Sequence, residues 1–286
     1  MTKLNASIET SSKQAIESAD LPGLFPRGTH VYVTDIGDTT ESHVAATKRL
    51  RELGYEPVPH IAARRATTKA DLDERLRRMS AEAGIRNVLV IGGGLEKPVG
   101  EFAGAMDVLS TGLLDKHGIR EIGVAGHPEG SPDFSEAVAQ QILVDKRAFA
   151  ERTGAEMRIV TQFGFNPEKF IAWAEGLRAH GVDMPVHLGV SGPAKITTLL
   201  KYAVMCGVGE SINFLKRNAL SVAALAGSQS PEPIVEPIER HVASTPGSAI
   251  AQLHVFPFGG LKGSAAWLIE RGSWKMYPAG TAAAAQ

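Results

Sequence analysis

Short apolar stretches of strand length alternate along the chain with longer stretches of helical periodicity. The short stretches are rich in β-branched residues, which favours buried strands. The longer ones carry apolar residues at helical spacing, and several end at a glycine, as helices often do. The predicted strands are Ala6–Thr10, His30–Thr34, Glu56–Ala62, Asn87–Ile91, Ile122–Ala125, Met157–Thr161, Val186–Val190 and Gln252–Phe256. The predicted helices are Glu41–Leu53, Thr68–Ala83, Glu101–Lys116, Ser135–Thr153, Pro167–His180 and Ala194–Cys206.

Strands that alternate with helices require a parallel sheet with crossover connections. Eight such strands in 286 residues predict an α/β protein with a single (β/α)8 TIM-type barrel. A doubly wound open sheet is the alternative. Gly92-Gly93-Gly94 follows a strand, but the G-x-G-x-x-G spacing of a dinucleotide fingerprint is missing there.

Three segments depart from the repeating unit. Ser211–Ser230 is apolar and Ala-rich, which predicts an extra helix after the seventh unit, and its part Ser211–Ala226 could pair two copies in a homo-oligomer or pack internally. Ser228–Pro237 holds three prolines and is predicted to be a turn or linker. The barrel domain is expected over residues 1–277, with a flexible tail over 278–286.

Composition narrows the class of protein. Hydrophobic residues make up 43% and charged residues 21%, as in ordinary globular proteins. The net charge of -1 argues against nucleic-acid and membrane surfaces, which both favour basic patches. The lone Cys206 excludes an internal disulfide and a Cys-rich metal site, and no metal is expected. Without a signal peptide or a membrane-spanning run, the sequence predicts a cytoplasmic protein.

Barrel enzymes place their active site at the C-terminal ends of the strands. Two polar residues at such positions are candidate functional residues. Glu9 lies in the first strand; pointing inward it would be desolvated, with a raised pKa, and could act as a general acid. Pointing outward it would be an ordinary surface residue. Gln162 ends the sixth strand just before the helix start at Asn166, where an amide could contact a ligand or satisfy loop backbone.

Further candidates follow other strands, and each has an ordinary structural alternative. Histidines at strand ends can bind ligands or satisfy the core, and a helix lysine can reach a phosphate or simply face solvent. A glycine triplet lets a flat or phosphorylated ligand approach the backbone. These candidates are Thr34, His60, Gly92, Gly93, Gly94, His127 and Lys146. Serine-hydrolase, Walker and zinc motifs are absent from the sequence. One glutamate with few other acid or base groups suits a reaction whose difficult step is performed by a cofactor.

Several of these pieces occur together in one known family. The chain resembles the methylenetetrahydrofolate reductase family, collinearly from Glu9 to about Phe256. The most specific pieces are Gly126-His127-Pro128-Glu129-Gly130 and Thr161-Gln162-Phe163. Others are Pro57-Val58-Pro59-His60, Gly84-Ile85-Arg86-Asn87 and Leu253-His254-Val255-Phe256.

The resemblance implies a (β/α)8 barrel that reduces 5,10-methylenetetrahydrofolate to 5-methyltetrahydrofolate. The reductant would be NADH or NADPH, usually with bound FAD as the relay. Glu9 would protonate the pterin side of the substrate, which opens the methylene bridge to an iminium. Gln162 would contact folate and nicotinamide, and Phe163 and Phe165 would shape that face or belong to the core. Positions that contact the flavin in the family would be Thr34, His60, Gly92, Gly93, Gly94, His127 and Lys146.

Departures from the family pattern leave the cofactor open. The family usually carries an aspartate where this chain has Gly94, a tyrosine around Gly104 and a second histidine at Ser131. Either FAD is held more by backbone, or hydride passes directly from the nicotinamide to folate. Two alternative functions also remain: a non-catalytic folate- or flavin-binding barrel, and a reductase of a related pterin in one-carbon or demethylation metabolism.

Overall fold

Eight parallel strands close into a barrel in the computed structural model, which describes residues 3–131, 133–208 and 228–276. Each strand pairs with its predecessor, and the first strand pairs with the last, so no edge remains open. The barrel strands are β1 Ala6–Ser11, β2 His30–Thr34, β3 Glu56–Ala62, β4 Asn87–Ile91, β5 Glu121–Gly126, β6 Glu156–Phe163, β7 Val186–Ser191 and β10 Ile250–Phe256. The predicted (β/α)8 barrel is confirmed, and the open-sheet alternative is wrong.

Helices cover the outside of the barrel. Side chains of Thr39, Thr68, Ser135 and Asn166 cap four of them by accepting a backbone N–H of the first turn. The helices are α1 Ser12–Glu17, α2 Thr40–Glu52, α3 Lys69–Ala83, α4 Ala105–Ser110, α5 Leu113–Lys116, α6 Glu136–Thr153, α7 Pro167–Gly176, α8 Ile196–Met205, α9 Glu232–Ser244 and α10 Leu261–Glu270. Two short 3-10 turns, Ala63–Arg65 and Leu177–His180, and a small antiparallel pair, β8 Ala194–Lys195 with β9 Ser228–Gln229, complete the described elements.

The structure corrects two sequence predictions. The helix predicted over Glu101–Lys116 is two short helices, because Gly112 adopts a left-handed φ of 74° between them. The proline-rich segment is the start of helix α9 rather than a linker. Pro233 falls in its first turn, where the missing amide proton breaks no helical hydrogen bond, although Pro237 lies inside the helix.

Three predictions fall outside the described residues. The extra helix and the candidate pairing surface Ser211–Ala226 lie almost wholly within 209–227, and the predicted tail lies within 277–286. The oligomeric state and the domain bounds therefore stay predictions. None of the helices in the described part of the chain combines the length and hydrophobicity that a bilayer crossing requires.

Apolar side chains form two separate cores. The larger one fills the layer between the outer face of the barrel and the helices. The smaller one lies inside the barrel and consists of Tyr32, Val58, Leu89 and Val160. Strand register identifies the other lumen residues, since neighbours across parallel strands face the same side. Glu9 is in register with Tyr32, so its side chain enters the lumen.

Candidate active site

Glu9 is the acidic group at the mouth of the barrel. It stands near the C-terminal end of β1, and only 13% of its side chain is exposed. Its side chain points inward, so of the two orientations that the sequence left open the structure has the one toward the lumen. Two imidazoles meet it: His254 Nε2 lies 3.2 Å from Glu9 Oε1, and His60 Nε2 lies 3.4 Å from the same oxygen.

The two histidines differ in how they meet the carboxylate. His254 forms a hydrogen bond with it, whereas the angles at His60 leave its Nε2 without a hydrogen-bond partner among the described residues. Tyr32 holds both rings by edge-to-face contacts, with centroids 4.5 Å from His254 and 6.0 Å from His60. Although one carboxylate and two imidazoles meet here, the described residues contain no group of three such side chains suited to a metal ion.

The pKa of Glu9 is lowered, so the predicted raised pKa is wrong. Burial alone raises it, as expected for a desolvated carboxyl group. The hydrogen bond from His254 and the electrostatic effect of His60 outweigh burial, because both favour the ionised form. Burial in turn lowers the pKa of His60. Glu9 is therefore a carboxylate at neutral pH when the site holds no substrate.

Gln162 lies at a distortion of strand β6. The register between β6 and β7 shifts between Val160 and Phe163, which is a bulge, and bulges re-aim side chains beside active sites. This bulge requires a glycine at position 189 of β7, because a Cβ there would lie 2.4 Å from the Thr161 carbonyl oxygen. The Gly189 amide instead donates to Thr161 Oγ1 at 2.8 Å.

Within the described parts of the chain, the side-chain amide of Gln162 has one hydrogen-bond partner, at its nitrogen. Its Nε2 donates to the Cys206 carbonyl at 3.0 Å. Burial, followed by the charge of Glu9, raises the pKa of the Cys206 thiol. Cys206 therefore lies within electrostatic reach of Glu9 while it also binds Gln162, so both predicted residues belong to one mouth.

Phe163 and Phe165 are buried, with 1% and 2% exposure. Phe163 packs against Phe165, Phe256 and Phe258, with ring centroids between 4.8 and 5.9 Å apart. These contacts support the core alternative that the sequence left open. A contact with substrate stays a prediction for both residues.

The floor of the lumen holds a buried cation that sequence reasoning missed. Arg158 donates to the Tyr32 hydroxyl at 2.9 Å and to Asn87 Oδ1 at 2.7 Å. Asn87 in turn donates to Glu121 at 3.0 Å. Arg158, Val160 and Gln162 occupy every second position along β6. The period-2 pattern of a strand could therefore have assigned all three to the lumen.

A second group of predicted residues lines a cavity of about 670 Å³ beside the barrel mouth, between the loops after β4 and β5 and helices α6 and α7. Gly92, His127 and Lys146 all belong to its wall. Ala125 lines it too and is in register with lumen-facing Val160, so the cavity reaches the mouth. Its volume is in the range of cofactor pockets.

Lys146 is a buried charged residue of this cavity wall. It is 4% exposed, and burial lowers its pKa to about 8. Within the described residues its ammonium group has no hydrogen-bond or ion-pair partner. Burial, and then the charge of Lys146, lowers the pKa of His127 to about 4, so this imidazole is neutral. A desolvated cation of this kind suits a phosphate or carboxylate ligand.

The remaining candidates are divided between these two groups. Thr34 is the half-buried last residue of β2, in register with Ser11 at the mouth. Gly93 adopts a φ of 87° and approaches Ala62 so closely that a Cβ would lie 3.3 Å from that side chain. A Cβ at Gly94 would meet nothing within 4 Å, which leaves room for a ligand.

A closed parallel barrel whose mouth joins a buried carboxylate to a cavity with a buried lysine in its wall defines a TIM-type barrel protein with a ligand site at the C-terminal face. Comparison with known proteins identifies the family. Residues 20–217 match the methylenetetrahydrofolate reductase family, and the chain belongs to it. The match begins after Glu9, so the role of that residue rests on the structure and on the resemblance of its motif.

Individual relatives agree with this assignment. The 5,10-methylenetetrahydrofolate reductase of Pectobacterium carotovorum subsp. carotovorum is 28% identical over 193 residues, which cover 66% of this chain and 61% of that protein. Methylenetetrahydrofolate reductase 1 of Schizosaccharomyces pombe is 32% identical over 161 residues, or 52% of this chain and 25% of that protein. The chain thus matches about three fifths or less of the length of these relatives.

A solved structure shares the fold. It is an uncharacterized protein from Clostridium thermocellum, described as binding two copies of 5-methyl-5,6,7,8-tetrahydrofolic acid. Its TM-score to this chain is 0.55 at 11% sequence identity, over 94% of this chain and 96% of that one. At this identity the likeness concerns the fold alone.

Proposed function

We propose that the chain reduces 5,10-methylenetetrahydrofolate to 5-methyltetrahydrofolate, with NADH or NADPH as the reductant. Membership of the methylenetetrahydrofolate reductase family supports the reaction class. The observation that carries the proposal is Glu9, a desolvated carboxylate at the barrel mouth held by an imidazole. The Clostridium thermocellum protein of the same fold binds 5-methyltetrahydrofolate, the proposed product.

Glu9 and Gln162 have different roles toward the folate. Glu9 delivers a proton to the pterin side, which opens the methylene bridge to an iminium that can accept hydride. Gln162 holds the folate through its side-chain amide, whose carbonyl end has no described partner. Burial of Glu9, whose side chain is 13% exposed, strengthens its polar contacts.

We propose that the cavity beside the mouth binds a dinucleotide, whose ring supplies the hydride. Lys146 fits a phosphate group because it is a buried cation without a described partner. Gly92 and Gly104 in the wall allow the ligand to approach the backbone closely. FAD and the nicotinamide dinucleotides share the pyrophosphate that Lys146 would bind, and they differ in visible absorbance.

One purification tests both parts of this proposal. We expect the purified chain to oxidise NADH or NADPH only with methylenetetrahydrofolate, and to form 5-methyltetrahydrofolate identified by mass spectrometry. A visible flavin spectrum would assign FAD as the relay, and its absence together with full turnover would assign direct hydride transfer. Absence of turnover with this folate but turnover with a related pterin would overturn the substrate assignment.

A further inference from the structure

The hydrogen bonds beneath Glu9 form a chain of defined direction. We propose that Ser7 is a positioning residue, whose hydroxyl fixes the tautomer of His254 and so decides where the proton of the Glu9–His254 pair lies. This inference rests on the proposed function, in which Glu9 must deliver a proton. Its structural basis is independent of any ligand.

Ser7 and His254 face each other across the seam that closes the barrel. They are paired in the register of β1 with β10, both are fully buried, and Ser7 Oγ lies 2.9 Å from His254 Nδ1. The other ring nitrogen of His254 lies 3.2 Å from Glu9 Oε1. One imidazole therefore connects the hydroxyl to the carboxylate, and the group on one nitrogen determines the state of the other.

Gln252 donates a hydrogen bond to the Ser7 end of this chain. Its Nε2 carries two hydrogens and has two partners, His187 Nδ1 at 3.0 Å and Ser7 Oγ at 3.3 Å. Burial, and then the charge of Arg158, lowers the pKa of His187 to about 2, so that imidazole is neutral and its Nδ1 can accept. Gln252 thus donates to both partners.

Ser7 Oγ accepts from Gln252 and has two possible acceptors for its own proton, of which His254 Nδ1 at 2.9 Å is nearer than the Leu253 carbonyl oxygen at 3.4 Å, so the proton goes to His254 Nδ1. When the imidazole of His254 carries one proton, that proton therefore lies on Nε2 and is donated to Glu9. This arrangement stabilises the ionised carboxylate and agrees with the lowered pKa of Glu9. Among the residues that the structure describes, the titratable groups around Glu9 are His60 of β3, His254 of β10, Tyr32 of β2 and Cys206 after α8.

Ser7 also has a second acceptor for its hydroxyl proton. This acceptor permits a loaded state, in which the Glu9–His254 pair carries one additional proton. The Leu253 carbonyl oxygen lies 3.4 Å from Ser7 Oγ. When the Glu9–His254 pair takes up one proton from solvent, both ring nitrogens can be protonated or Glu9 itself can be. His254 Nδ1–H then donates to Ser7, whose hydroxyl proton rotates to Leu253. Transfer of that proton to the folate returns the pair to its resting state, so protons balance over the cycle.

The loaded state explains how a residue with a lowered pKa can serve as an acid. The proton is stored on the pair rather than on an isolated carboxyl group, and it passes to Oε1 over a distance of 3.2 Å. Removal of the Ser7 hydroxyl would leave a buried N–H without an acceptor in the loaded state. In the resting state it would leave only an unused lone pair, which costs less. Loss of Ser7 therefore disfavours loading.

The test compares Ser7→Ala with the control Ser264→Ala. Ser264 is a residue of helix α10, and its buried hydroxyl donates to the carbonyl oxygen of Gly260. In Ser7→Ala we expect kcat to fall about tenfold at neutral pH, and the alkaline limb of its pH profile to move lower by about one unit. Ser7→Thr, which keeps the hydroxyl, should restore the profile, and Ser264→Ala should match the wild type. Nitrogen NMR of labelled histidine, assigned with His254→Gln, should show the Nε2–H tautomer in the wild type and its loss in Ser7→Ala.

Two results would overturn the inference: an Nδ1–H tautomer of His254 in the wild type, or a Ser7→Ala variant with unchanged NMR and pH profile. The NMR measurement needs no turnover. A locked tautomer in a protein without reductase activity would therefore reject the proposed function and leave the role of Ser7 in the tautomer standing.

Discussion

His254 Nε2 lies 3.2 Å from Glu9 Oε1, although 245 positions separate the two residues in the sequence. The contact exists because β10 pairs with β1 and closes the barrel. Closure of the fold and assembly of the acidic site are thus the same event. The site at this seam has consequences that mutagenesis can measure.

The first prediction concerns the carboxylate. Glu9→Gln keeps the shape of the side chain and a hydrogen-bond acceptor for His254, but it has no acidic proton to deliver. We expect kcat to fall by about 10²- to 10⁴-fold, the usual contribution of a positioned acid, measured by nicotinamide oxidation with methylenetetrahydrofolate. Glu17→Gln, at an exposed carboxylate on α1, serves as the control. Normal turnover in Glu9→Gln would exclude it as the proton donor.

Lys146 carries the second prediction. Lys146→Met should raise KM for the dinucleotide about tenfold or more, because a charge-assisted bond to phosphate is lost. KM for the folate should change little, since the folate lies at Glu9 and Gln162. The matched control is Lys48→Met, at an exposed lysine of α2. Equal effects on both Michaelis constants would place Lys146 outside the dinucleotide site.

The buried ammonium of Lys146 also makes stability depend on pH. Its pKa is about 8 in the folded chain against 10.5 for an ordinary lysine, so the unfolded chain binds more protons between these values. The free energy of unfolding should therefore rise with pH through this window, by about 3 kcal/mol relative to Lys146→Met. Urea titrations of both proteins at about pH 7.5 and 10.5 measure the difference. A constant difference across that range would contradict the burial of a charged lysine.

Alanine substitutions at two glycines should change the free energy of unfolding in opposite directions. Gly189→Ala places a Cβ 2.4 Å from the Thr161 carbonyl oxygen, so the bulge that aims Gln162 must shift. We expect loss of about 1–3 kcal/mol of unfolding free energy together with reduced kcat. Gly263→Ala, inside helix α10 with nothing within 4 Å of the new Cβ, should instead gain about 0.5–1 kcal/mol. Thermal and urea unfolding measure both, and equal behaviour would reject the close-approach argument.

Much of the fold could be read from local pattern. The bounds predicted for β2, β3 and β4 are those of the structure, because β-branched residues and flanking turns are encoded in a few neighbouring positions. Helix bounds failed where backbone conformation overrode periodicity, as at Gly112. The predicted linker failed because prolines are accepted in the first turn of a helix as readily as in a loop.

The candidate site was only partly predictable. The sequence by itself placed Glu9 and Gln162 at strand ends and determined which residues of a strand share a face, but it left open whether Glu9 points into the lumen or outward. Only the tertiary structure decided that His254 would meet Glu9, that the pKa of Glu9 would fall rather than rise, and that Lys146 would be buried beside the mouth. The physical reason is that side-chain direction follows from the period of one strand, whereas the energy of a charge depends on groups brought to it from distant segments.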